Sequence, residues 1–95
     1  MEFKALALHP SDNVAVLLSP VGPGERVRVR GREGLEIEAC QAIAFGHKIA
    51  LADIERGELI RKYGRPIGAA EAAIKKGDHV HIHNVTGLRA RKERS

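Results

Sequence analysis

One seven-residue pattern occurs three times in this chain and limits what it can fold into. "VGPGERV" (Val21 to Val27), "IERGELI" (Ile54 to Ile60) and "IKKGDHV" (Ile74 to Val80) all read apolar-x-x-Gly-acid-x-apolar. A glycine at the fourth position supplies the positive φ of a tight turn at no steric cost. The apolar residue on either side anchors both arms of the turn in one core. Three such corners in 95 residues predict a compact β domain of short, sharply bent strands. Their spacing is irregular, which excludes a solenoid.

The segments between the corners read as strands. "NVAVLL" is an apolar run suited to a buried strand. "RVRVR" and "LEIE" alternate, and Gly31-Arg32-Glu33-Gly34 joins them as a hairpin. "HKIALA", "ELIRKY" and "HVHIHN" are further strands, while "ACQAIAF" fits a strand or a single helical turn. One short helix is expected over Gly68 to Lys76, "GAAEAAIKK", where Ala and Glu favour helix and Gly77 can end it.

Chain length and composition narrow the class. A chain of 95 residues makes one domain, burying about 65% of its unfolded surface. Phe3, Phe45 and Tyr63 are the only aromatic residues apart from histidine, so the core is built from Ile, Val, Leu and Ala. The single cysteine, Cys40, cannot form an internal disulfide and reads as a small packed residue of a reducing cytoplasm. No apolar run spans a membrane and the N-terminus does not resemble a signal peptide, so a cytoplasmic protein without a membrane partner is expected. Of the net charge of +4, +3 sits in the last eight residues, "LRARKERS". This is a basic tail at 88–95 behind a nearly neutral domain at 1–87, and it disfavours nucleic-acid binding.

Four stretches hold polar residues suited to chemistry. "HPSDN" brings His9, Asp12 and Asn13 before a buried strand, either as a plain turn or as part of a site. "FGHKIA" places His47 and Lys48 after a glycine. "RKYGRPIG" holds Lys62, Tyr63 and Arg65 in what reads as an irregular loop able to turn cations and backbone N–H groups toward an anion. The fourth, "GDHVHIHN", places His79, His81 and His83 at alternate positions. Such residues share one face of a strand, about 6.6–7 Å apart along the chain, with Val80 and Ile82 directed to the core. His-x-His spacing suits Zn, Fe, Ni or Cu. Three histidines along a straight strand do not converge easily, so a further ligand would come from His9, Asp12, His47 or another chain. The alternative is a half-buried polar face.

Taken in order, "HPSDNVAVL", "GHKIALADIERGELIRKYGRPIG" and "GDHVHIHN" resemble the N-terminal domain of the altronate/galactarate dehydratase family, which includes the sulfolactate sulfo-lyases. The resemblance runs from about His9 to Val85. It implies a SAF domain, a mainly β, β-clip fold of short bent strands. It also implies a carbon–oxygen or carbon–sulfur lyase acting on a hydroxy acid, often iron-dependent, with the chain resembling the small subunit of a split enzyme. The expectations that follow are a large catalytic subunit as partner, a small hydroxy acid as substrate, and a divalent metal such as Fe2+ on His79, His81 and His83. His9 and His47 are candidate catalytic partners of that histidine face. Lys48 and Lys62 would hold the substrate carboxylate, and Asp12, Asn13 and Tyr63 would orient it. The competing expectation is a non-catalytic SAF module that binds a small acid or metal, or that assembles as a homo-oligomer.

Overall fold

The computed structural model describes residues 2–87, so the basic tail expected at 88–95 lies outside the described residues. Among the described residues nine strands follow one another: β1 Ala5–Leu6, β2 Val14–Leu17, β3 Arg26–Arg30, β4 Glu36–Glu38, β5 Lys48–Ala50, β6 Leu59–Lys62, β7 Arg65–Ala70, β8 His79–Val80 and β9 Val85–Gly87. They form a six-stranded sheet in the order β4-β3-β1-β2-β5-β8 and a three-stranded sheet β6-β7-β9. The fold is mainly β, and its short, curled sheets are those of a β-clip. No helix among the described residues is long and apolar enough to cross a membrane.

The three glycine corners are present, with Gly24, Gly57 and Gly77 at φ 83°, 86° and 92°. In each, the acid caps the turn: Gly22, Glu55 and Lys75 donate their N–H groups to the carboxylates of Glu25, Glu58 and Asp78 at 2.9–3.0 Å. A fourth corner runs from Ile43 to Ile49, with Gly46 at φ 83° and histidine in the acid position. The corners pair through isolated bridges, Val21 with Ile43 and Ile54 with Ile74.

Burial follows the strand period. β2 sends Ala15 and Leu17 into one apolar cluster and Val14 into a second, while β5 divides Ile49 and Ala50 the same way. These two strands form a wall shared by both cores, which is why "NVAVLL" lacks a polar alternation. β8 pairs with β5 at the edge of the large sheet, Lys48 opposite Val80 and Ile49 opposite His79.

Three expectations require correction. The helix over Gly68 to Lys76 is absent: Gly68, Ala69 and Ala70 are the end of β7, paired with Gly87, Thr86 and Val85 of β9. Ala69 and Ala70 are buried, and sheet pairing outweighs the helical preference of alanine. A Cβ on Gly68 would lie 2.6 Å from the Thr86 carbonyl oxygen, so glycine permits the close approach of β9. "RKYGRPIG" is likewise a hairpin and not an irregular loop. β6 and β7 pair directly around a two-residue tip, Tyr63 at φ 56° and Gly64 at φ 80°, the positive pair that a type I′ hairpin turn requires. Cys40 also departs from expectation: it is exposed, with its thiol directed at the Lys76 carbonyl.

Candidate active site

The histidine strand ends sooner than the alternation predicts. β8 stops at Val80, and His81 to Asn84 form a turn closed by the Asn84 N–H on the His81 carbonyl. The Asn84 side chain fixes this turn from both ends, accepting from the His81 N–H at 3.0 Å and donating to the His79 carbonyl at 2.8 Å. Val80 is fully buried as expected, but Ile82 is 82% exposed. Three side chains on one straight strand would stay apart; the turn is what lets imidazoles gather.

They gather with a partner from the fourth corner. Ligand atoms of His47, His79 and His81 all lie within 4.8 Å of one another. The His47 and His81 rings, just beyond the Lys48–Val80 pair, stack with centroids 3.7 Å apart and 9° between planes. His47 Nδ1 lies 2.8 Å from His79 Nε2, one nitrogen donating and the other accepting. His83 stands outside this set, its ring tilted 39° and centred 4.8 Å from that of His79. The convergent group is therefore His47, His79 and His81 in place of the expected His79, His81 and His83.

In the other corners the acid accepts a backbone N–H; histidine cannot do this as a carboxylate does, and the His47 ring turns to the β8 histidines instead. That substitution in a repeated pattern is a second signal for His47, already a candidate from its place in "FGHKIA". Gln41 is a residue that sequence reasoning missed. Its side-chain oxygen accepts the His79 N–H at 3.1 Å and so fixes the backbone under the site.

The electrostatics favour neutral imidazole. Burial lowers the pKa of His79 below its ordinary 6.5, and His83, His47, His81 and Lys48 add repulsion against a further positive charge. His81 is lowered by burial first and then by His47, Lys48 and His83. The Nδ1 of His81 is buried without a hydrogen-bond partner among the described residues, an arrangement native structures rarely leave without a reason. Lys48 is lowered from its ordinary value by burial and then by the nearby charge of Lys62. Neither lysine forms an ion pair with a carboxylate among the described residues. Lys48 and His81, together with Ile67, Ile82, Val85 and Gly87, line a cleft of about 230 Å³.

The "HPSDN" residues are engaged in holding backbone. Buried Asp12 accepts N–H groups from Tyr63 and Gly64 at 2.9 and 2.7 Å, and from His9 at 3.3 Å. Asn13 donates to the Leu59 carbonyl and accepts from the Arg61 N–H, tying β2 to β6. His9 accepts from Ser11 through Nδ1, and its ring packs on Gly64, where a Cβ would lie 2.8 Å away. His9 is thus on the Tyr63 turn and is not one of the three converging rings. The Tyr63 ring carries the Lys62 ammonium 5.2 Å from its centroid.

Comparison with known proteins decides the lineage. The family profile described as "Altronate/galactarate dehydratase SAF domain" matches residues 3–88. The chain belongs to this family. It is 42% identical over 79 residues to altronate dehydratase of Bacillus subtilis, and 44% identical over 79 residues to altronate dehydratase of Escherichia coli; each match covers 83% of this chain and 15% of the relative. It is 43% identical over 51 residues to (2R)-sulfolactate sulfo-lyase subunit alpha of Chromohalobacter salexigens, covering 54% of both chains. The SAF chain thus spans a small fraction of the dehydratases it matches and about half of the sulfo-lyase subunit.

Proposed function

We propose that this SAF chain is the small subunit of a lyase acting on hydroxy acids, most simply a sugar-acid dehydratase, and that it contributes its histidine face to an active site shared with a large catalytic subunit. The observation that carries this reading is the convergence of His47, His79 and His81 beside Lys48, in a family whose relatives include dehydratases and a sulfo-lyase subunit.

Dehydration of a hydroxy acid removes a proton next to a carboxylate and expels a β-hydroxyl as water. The negative charge that builds on the carboxylate side requires nearby cations. Lys48, together with Lys62, whose charge reaches it, meets that need and holds the substrate carboxylate. The proton acceptor must be unprotonated near neutral pH, the state to which burial and mutual repulsion hold His79 and His81.

The donor set also fits a divalent ion. Three imidazoles within reach of one point, one with an orphaned buried nitrogen, suit Fe2+ or another borderline metal. When bound there, such an ion supplies Lewis-acid stabilisation of the developing enolate charge. His83, outside the converging three and exposed to solvent, is then the imidazole left to move a proton.

The test is reconstitution. The chain is mixed with the large catalytic chain of its family, Fe2+ or Mn2+ is supplied, and dehydration of altronate, galactarate and sulfolactate-type acids is followed. Activity found only in the mixture supports the reading. Activity of the large chain that does not change when this chain is added contradicts it.

A further inference from the structure

We infer that Phe45 and Ile82 form the docking rim through which this chain seats on the large catalytic chain, closing the histidine site from above. The inference rests on the two-chain reading just given and adds the surface that makes the contact.

These are the two most exposed large apolar side chains among the described residues, Ile82 at 82% and Phe45 at 68%. Scattered exposed apolar residues need no explanation, but this pair is not scattered. Phe45 lies two residues before His47, and Ile82 stands between His81 and His83. The antiparallel pairing of β5 with β8 brings the two segments to the same end of the sheet, and the stacked His47 and His81 rings join them there. The apolar rim and the imidazole group therefore share one edge.

Ile82 is held outward by construction. Its turn is locked by the Asn84 side chain on both the His81 N–H and the His79 carbonyl. Burying such a side chain is worth about 1.5–3 kcal/mol, and a turn fixed this firmly forgoes that gain within the chain. Below it the cleft stays open, floored by Ile67 and Val85 and bordered by Lys48. An exposed aliphatic side chain beside an open, largely apolar cleft that carries Lys48 and His81 is the arrangement of an interface centre, where a buried apolar anchor excludes water from the polar groups around it.

The occupant follows from the relatives. The aligned segment is 15% of the length of the two altronate dehydratases, so in those proteins a domain of this kind is joined to a polypeptide several times its size. The lysine pair, without carboxylate partners among the described residues, adds a charge argument, since a covering surface that brings acceptors or an acidic substrate would neutralise it.

The experiment measures association separately from activity. The purified large catalytic chain is titrated with wild-type protein and with Ile82→Asp, Ile82→Ser, Phe45→Asp and, as a control, Leu8→Asp. Leu8 is 63% exposed and lies beside Gly31, at the end of β3. Thermal melts confirm that each variant folds. The rim predicts that Ile82→Asp and Phe45→Asp weaken binding by about tenfold or more, that Ile82→Ser weakens it less, and that Leu8→Asp binds as wild type. Wild-type affinity in both rim variants overturns the rim while leaving the two-chain reading intact. Failure of the wild-type chain to bind the large chain overturns both.

Discussion

The Nδ1 of His47 and the Nε2 of His79 share a hydrogen bond of 2.8 Å between two different corners of the fold. One of these nitrogens must be without a proton for the bond to form, so the site is built for at least partly neutral imidazole. His79 and His81 both have pKa values below the ordinary 6.5 in the folded protein. The unfolded chain then binds more protons than the folded chain as pH falls, and stability rises with pH across that range. Urea unfolding should show equal stability at pH 7.5 and 8.5 as far as these groups are concerned, and a loss that begins near pH 6.5 and continues to the lower folded pKa values. In a His79→Gln, His81→Gln double variant that slope should be reduced.

Asp12 is predicted to be structural in its main role. Its carboxylate takes the N–H groups of both residues at the Tyr63-Gly64 tip, where Tyr63 sits at φ 56°. Asp12→Ala leaves part-buried donors unsatisfied and should cost about 1–3 kcal/mol in urea unfolding. Tyr63→Gly relieves the left-handed backbone and should recover about 1 kcal/mol of that loss.

The corners should differ sharply in their tolerance of a side chain. A Cβ on Gly77 would lie 2.3 Å from the Glu38 carbonyl oxygen, whereas one on Gly57 meets nothing within 4 Å. Both have positive φ. Gly57→Ala should therefore cost about 1–2 kcal/mol, the left-handed penalty alone. Gly77→Ala should cost more than about 3 kcal/mol or prevent folding, because the backbone of the β4 end must move as well. Thermal denaturation of the two variants side by side checks the contrast.

These residues also mark what a reader of the sequence can and cannot see. The acid corners were legible because glycine, acid and flanking apolar residues each have one physical reason to be there. The Ile43–Ile49 corner was not, because His47 stands where the pattern has an acid, and the missing capping bond is the very feature that frees the ring to reach His79. The mainly β fold was legible from alternation at Arg26–Arg30 and Glu36–Glu38. β7 was hidden by Pro66 and by the helical preference of Ala69 and Ala70, both overridden by pairing with β6 and β9. The shared face expected of His79, His81 and His83 assumed a strand that continued, and only the contacts of Asn84 reveal where it turns.

Cys40 should be a slow thiol. Burial, then the Asp78 hydrogen bond and negative charge, raise its pKa from the ordinary 9.0, so little thiolate exists at neutral pH despite its exposure. Iodoacetamide labelling at pH 7.5 should be slower than that of a free cysteine peptide. Asp78→Asn should speed it, provided the Lys75 turn survives.

The most direct test of the histidine centre compares single and combined substitutions in the reconstituted enzyme. His47→Ala, His79→Ala and His81→Ala are each assayed with the large chain, followed by the triple variant. If the three rings act as one unit, each single change lowers kcat by on the order of 100-fold or more, and the triple variant is little worse than any one of them. Three singles near wild-type activity, or losses that simply multiply in the triple variant, would contradict a common centre.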